Sequence, residues 1–143
     1  VSDLEDARKA LEAQLTASTG CAIPATSIAF KGRGDPASKT AGNRWYRATF
    51  LPGNPRATAA GPDASNRVVF IFQVDIFDPP SLGENLTATE AQRVIPFFKR
   101  GSTLTRNGVT ARCMKSYRGT ADDSDPAWFK IPVVVEGFVD VAN

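Results

Sequence analysis

The chain has 143 residues, 42% of them hydrophobic and 22% charged, with a formal net charge of +2. These values describe one globular domain able to bury a real core, exclude a disordered chain, and supply too little positive charge to argue for nucleic-acid binding. Histidine is absent and Cys21 and Cys113 are the only cysteines, which removes the commonest general base, the commonest catalytic zinc ligand and most hydrolase arrangements.

No apolar run approaches the ~20 residues of a transmembrane helix, and the sequence opens on a polar amphipathic segment. The expectation is a soluble protein made in a cytosol, with no membrane partner and no ordinary secretion signal. A reducing compartment favours two free thiols at Cys21 and Cys113, which share no metal-type spacing.

Ser2-Asp3-Leu4-Glu5 reads as a capping box, and Asp3, Glu5 and Asp6 place negative charge at the positive end of the helix dipole. Leu4, Ala7, Leu11 and Leu15 recur at helical spacing, which predicts a helix from about Asp3 to Ser18 with one core-facing stripe and Gly20 as its stop. Ile28-Ala29-Phe30 suits a brief edge strand. Lys31 to Gly42 is too rich in Gly, Pro and Ser for regular structure.

Arg44 to Leu51 alternates and carries Trp45, Tyr46, Thr49 and Phe50, a strand composition. Pro52 to Asn66 reads as a second long loop. Long loops cost entropy without supplying core, and these two bracket one strand, so both should project from the same region.

Arg67 to Phe77 is the strongest strand. Phe70, Phe72, Val74 and Ile76 share one face; Val69, Ile71 and Phe77 share the other with Gln73 and Asp75. Apolar character on both faces means a central strand, or one whose second face meets another subunit. Asp78-Pro79-Pro80 ends it, because proline cannot donate to a ladder.

Thr87-Ala88-Thr89-Glu90 reads as a second capping box, followed by the apolar stripe Ala91, Val94, Ile95 and Phe98. Lys99 and Arg100 complement the helix C-terminus, Gly101 closes it, and Pro96 should kink it or tighten its last turn. Thr103 to Thr105 and Val109 to Tyr117 can pair across Arg106-Asn107-Gly108, since Asn-Gly supplies the positive φ angles of a tight hairpin. Ala121 to Pro126 is an acidic loop, and Phe129, Ile131, Val133, Val135 and Val139 alternate through a closing strand. The fold class expected is α+β: a mixed, mostly antiparallel sheet with two helices packed on one face.

Chemical motifs are weak throughout. Arg33-Gly34-Asp35 is an adhesion tripeptide by chance in a cytosolic protein, and the glycines beside it open no phosphate-binding helix. Asp122, Asp123 and Asp125 lack the central Gly and distal Glu of a calcium loop and read as a solvated turn. Asp75 and Asp78 could form a carboxylate pair, but Asp78 reads as an ordinary residue before proline and Asp75 as a strand residue meeting a cation or solvent. Arg44, Arg47, Arg67, Arg106, Arg112 and Lys115, with Trp45, Tyr46 and Tyr117 between them, faintly echo a nucleic-acid face. Exposed strands also carry such charge to stay soluble and to prevent edge pairing.

Taken together, several phrases carry a resemblance. They are the Leu4–Leu11–Leu15 helix, Ile28-Ala29-Phe30, Arg44-Trp45-Tyr46-Arg47, the run Val69 to Phe77, Phe97 to Leu104 leading to Gly108-Val109, and Trp128 to Val133. In this order they resemble the tail terminator proteins of long-tailed phages across nearly the whole chain, as a single domain. The resemblance implies a structural virion protein at the tail–neck junction, not an enzyme, with no catalytic residue, metal or cofactor. It implies a ring, a hexamer in similar proteins, that caps the tail tube, stops its polymerisation and joins the tail to the neck or head–tail connector.

The partners implied are further copies of the chain, the tail tube protein, a connector or neck protein, and DNA only in passage through the lumen. Candidate subunit-interface residues are Val69, Ile71, Gln73, Asp75, Arg44 and Arg47. Candidate lumen-facing or partner-facing loop cations are Arg33, Lys39, Arg56, Arg106 and Arg118. The alternatives are another head–tail completion, neck or tube protein, and a small enzyme or ligand-binding α+β domain, which the missing histidine disfavours.

Overall fold

The computed structural model of the chain describes residues 3–62 and 64–142, so the Ser2 half of the first capping box lies outside the described residues. Helix α1 (Asp3–Thr16) buries Ala7, Leu11 and Leu15, the stripe its spacing predicts. Arg8 bridges Glu5 and Glu12 at 2.5 and 2.9 Å, at the i+3 and i+4 spacings that place side chains over one another. The helix ends two residues earlier than its pattern suggests. Gly20 then passes so close to α1 that a Cβ there would sit 2.3 Å from the Gln14 carbonyl oxygen.

Strand β1 (Ile28–Ala29) runs parallel to β2 (Trp45–Pro52) at the sheet edge. The segment between them is not wholly irregular: Ala37–Thr40 form one helical turn, α2, started by Pro36 and tied down by a 2.7 Å bond between the Ser27 and Ser38 hydroxyls. The second loop also carries order, because β3 (Arg56–Ala57) pairs with the beginning of β4 (Asn66–Asp78). Local composition misjudged both segments because proline set up the first and the length of β4 templated the second.

Helix α3 spans Glu84–Val94 and continues as a 3₁₀ turn over Ile95–Phe98, the tightening expected of Pro96. Strands β5 (Thr103–Arg106) and β6 (Val109–Arg118) form the hairpin, with Asn107 and Gly108 at φ +51° and +79°. Strand β7 (Phe129–Val141) closes the fold. Among the described residues the strands form one sheet in the order β1-β2-β4-β7-β6-β5, all neighbours antiparallel except β1 with β2.

Both longer helices pack on one face of this sheet. Val68, Phe70, Phe72, Val74 and Ile76 of β4 and Ile131, Val133, Val135 and Val139 of β7 meet Leu11, Leu15, Ala91, Val94 and Phe98 in one core. The chain is therefore α+β as its periodicities predict. No helix among the described residues is long and apolar enough to cross a membrane.

Candidate functional site

The helices leave the opposite face of the sheet open. Period-2 alternation sends the odd residues of β2 and β4 and the even residues of β7 to that face, and the register aligns them in rows. Leu51, Ile71, Glu136 and Lys115 form one row, and Thr49, Gln73, Val134 and Tyr117 the next. Val69, Phe138 and Arg112 make a third, with Arg67 and Asp140 beyond them.

Apolar side chains occupy the middle. Leu51 is 53% exposed, Val69 50% and Ile71 38%. Charges around them pair within the sheet. Arg47 donates to Asp75 at 2.9 Å and lies over the Phe77 ring at 5.2 Å; Gln73 donates to the other Asp75 oxygen at 2.7 Å. Arg67 holds Asp140 through two bonds of 2.9 and 3.1 Å and covers the Phe138 ring. Tyr117 donates to Glu136 at 2.9 Å, with Lys115 beside it. Trp45, stacked on Phe77 at 3.9 Å and edge-on to Trp128, closes one end.

Of the residues singled out from sequence, Val69, Ile71, Gln73, Asp75 and Arg47 are brought together on this face. Arg44 is not among them. Its guanidinium donates to both oxygens of Asp78 at 2.7 and 2.9 Å, on the helix side of the sheet. Asp78 is fully buried and also accepts from the Thr87 hydroxyl at 2.6 Å, so it is an anchor for α3 and not an ordinary turn residue. Asp75 and Asp78 differ in parity and lie on opposite faces, which leaves no carboxylate pair between them.

The second capping box is also overturned. Helix α3 starts at Glu84 after Gly83, so Thr87 and Glu90 lie inside it. Glu90 accepts from the Tyr46 hydroxyl and from Arg93. Burial pushes the Glu90 carboxyl up, but bonds from Arg93 and Tyr46 outweigh it and hold the group below its ordinary range. Burial and the Glu90 carboxylate push the Tyr46 phenol well up. The pattern of threonine and glutamate three residues apart fits a cap, yet here both side chains turn toward the sheet.

The loop cations lie apart from one another. Arg33 sits over Phe30, and Lys39 pairs with Asp35 at 3.2 Å and covers Trp45. Arg106 is 3.8 Å from Asp6, and Arg118 is 3.5 Å from Glu84 at the far end of β6. Arg56 stands directly opposite Arg67 across the β3–β4 pairing.

Burial raises the Cys21 thiol to about 12 and the Cys113 thiol to about 11, so neither is poised as a nucleophile. Among the described residues no group of His, Cys, Asp or Glu could hold a metal ion. Asp122 and Asp125 instead accept from the backbone N–H groups of Ser124 and Ala127. Sequence reasoning missed Leu51, Val134 and Phe138 as members of the open face. The alternation carried that signal, since each is one parity step from a core residue. The bulge between Cys113 and Lys115 leaves Met114, which is 42% exposed, without a register partner in β7.

A sheet face with an apolar centre and self-paired charges has the form of a contact surface. The profile of the phage tail terminator protein family matches residues 6–136. The chain belongs to that family. It is thus a structural protein of the phage tail by family, and its place is the virion. No curated protein sequence matches this tail terminator chain. A solved structure of another protein aligns with a TM-score of 0.65 and 23% identity over 97% of this chain and 94% of its own, a likeness of fold.

Proposed function

We propose that the chain assembles into a ring that caps the tail tube, stops its polymerisation and joins the tail to the neck or connector. The observation that carries this is the open face of β4, the central strand whose other face is the core. An antiparallel sheet can meet water on one side, but that side is then normally polar. Here Leu51, Val69 and Ile71 are exposed together beside Phe138, and covering such a patch favours association. Contacts that join one surface to a different one close into a ring when the rotation between copies closes, and no chemical site is needed for that work.

The proposed interface comprises Val69, Ile71, Gln73 and Arg47, with Asp75 buried beneath the last two as their acceptor; Arg44, committed to Asp78, lies outside it. The loop cations Arg33, Lys39, Arg56, Arg106 and Arg118 are proposed to face the lumen or an acidic neighbour. Light scattering and negative-stain microscopy, with and without tail tube protein, test the reading. The wild type should give a closed oligomer that arrests tube growth. Ile71→Asp should keep the native circular dichroism and melt, because the side chain points away from the core, and lose the oligomer. Normal assembly and capping by Ile71→Asp would remove the open face from the interface. Unlimited self-polymerisation of the wild type would make the protein a tube subunit instead.

A further inference from the structure

A groove at one end of the open face and a loop at the other present unpaired charges of opposite sign among the described residues. At the end where β4 begins, the chain from Gly53 to Thr58 folds beside the sheet and leaves a groove of about 750 Å³ lined by Asn54, Arg56, Thr58, Arg67 and Val69. Arg56 and Arg67 are cross-strand partners, a pairing of like charges that destabilises a sheet unless an anion answers it. Asp140 answers Arg67, and Arg112 also lies close enough to depress the Asp140 carboxyl behind the Arg67 bond. Arg56 is exposed and has no ion-pair partner among the described residues, so the groove itself presents an unanswered guanidinium.

The other end is acidic. The loop before β7 carries Asp122, Asp123 and Asp125 beside Glu84, Pro126 and Trp128. Lys130 lies 3.9 Å from Asp122 and Arg118 3.5 Å from Glu84, while Asp123 and Asp125 are exposed and meet no cation among the described residues. Strand β7 separates the two ends. Its span from Phe129 to Val141 is ~40 Å at about 3.3 Å per residue. The loop cannot reach the groove of its own chain.

We infer that the Arg56–Arg67 groove receives the acidic Asp122–Pro126 loop of a second copy, so that neighbouring subunits join basic end to acidic end. This rests on the ring reading and names the surfaces that would form the ring. Charge complementarity supplies the register, since like ends repel. Apolar neighbours suit it as well, because Val69 and Leu51 flank the groove side while Pro126 and Trp128 flank the loop. A contact between different surfaces propagates from copy to copy and can close.

Charge reversal and cross-linking of the full chain decide the matter. Arg56→Glu and Asp123→Arg are both exposed changes that disturb no ion pair among the described residues. Each alone should raise the concentration for half-assembly at least tenfold by light scattering, and the two in one chain should restore most of the loss. The double variant Arg56→Cys/Asp123→Cys should give a disulfide ladder extending beyond the dimer on oxidation. The wild type, with its buried Cys21 and Cys113, should give none.

A wild-type oligomer whose assembly neither charge reversal changes would overturn this contact and leave the ring reading intact. A ladder that stops at the dimer would do the same, by showing an isologous pair. Loss of DNA retention in Arg56→Glu with assembly unchanged would also overturn it and make the groove a phosphate site. A wild type that stays monomeric at every concentration would overturn the ring reading itself.

Discussion

Glu90 accepts from Tyr46 and Arg93 on one helix face while Arg44 lies 3.9 Å away, bound to Asp78. Replacing the carboxylate by an amide tests what this residue does. A capping box accepts Gln as readily as Glu at that position, so Glu90→Gln would cost almost nothing there. In the observed arrangement it removes the charge that holds Arg93 and orients Tyr46. Arg93 and Arg44 are partly exposed and can rehydrate, so the loss should fall below the ~3–5 kcal/mol typical of a broken buried pair, at about 2 kcal/mol in urea unfolding. The pH dependence has a definite sign. Because the folded Glu90 carboxyl titrates below its ordinary value, its contribution is complete above about pH 4.5 and disappears as pH falls through the folded value. Tyr46 is raised, so its contribution holds below about pH 10 and declines above it. The gap between wild type and Glu90→Gln, read from urea midpoints, should therefore be wide at pH 7 and shrink on acidification toward pH 3.

At the scale of elements, β7 departs twice from ideal strand chemistry, and neighbours absorb both departures. Pro132 lies in a strand paired on both sides, where a missing N–H would break a ladder. Its carbonyl accepts from Gly119, 2.8 Å away just past the end of β6. The N and C=O of a strand residue point the same way, so the missing donor faces the end of β6 and not β4. Gly137 interrupts the core parity of Val133, Val135 and Val139 because Phe70 fills its place. A Cβ there would meet Arg112 O at 2.2 Å and the Phe70 ring at 2.8 Å. Gly137→Ala should therefore lower stability by about 2–3 kcal/mol, seen as a shifted denaturant midpoint with unchanged slope. These cases show what sequence can and cannot reveal. Alternation and helix stripes identified every major strand and both longer helices, because each depends on neighbours two or four residues away. The start of α3 was misread because a threonine and a glutamate at cap spacing were claimed by Asp78 and Tyr46, partners set by the fold. The bulge at Met114 and the glycine under Phe70 depend on pairing across strands. The central half of the open face, Val69 to Asp75, is visible in β4 alone; Leu51, Val134 and Phe138 have the right parity within β2 and β7, and only the register shows which rows they join.

For the whole molecule, the placement of positive charge limits what the protein can do with DNA. Arg106, Lys39 and Arg118 are each near a carboxylate, at 3.8, 3.2 and 3.5 Å, and they belong to separate regions of the surface. Arg106 and Arg118 flank β6 at opposite ends, so no single subunit presents them to one stretch of phosphates. In a ring, symmetry would repeat each cation around the axis and could build a weak positive band from singly placed charges. Such a band suits a passage through which DNA slides, because tight binding would arrest it. Each phosphate contact releases counterions, and salt competes for every one of them. The expected outcome in a filter-binding series is retention of duplex DNA at ~50 mM salt, its loss by ~200 mM, and the same curve for unrelated sequences. Retention that resists salt, or that distinguishes one sequence from another, would contradict a passive channel and point to base contacts that this dispersed set of cations does not offer.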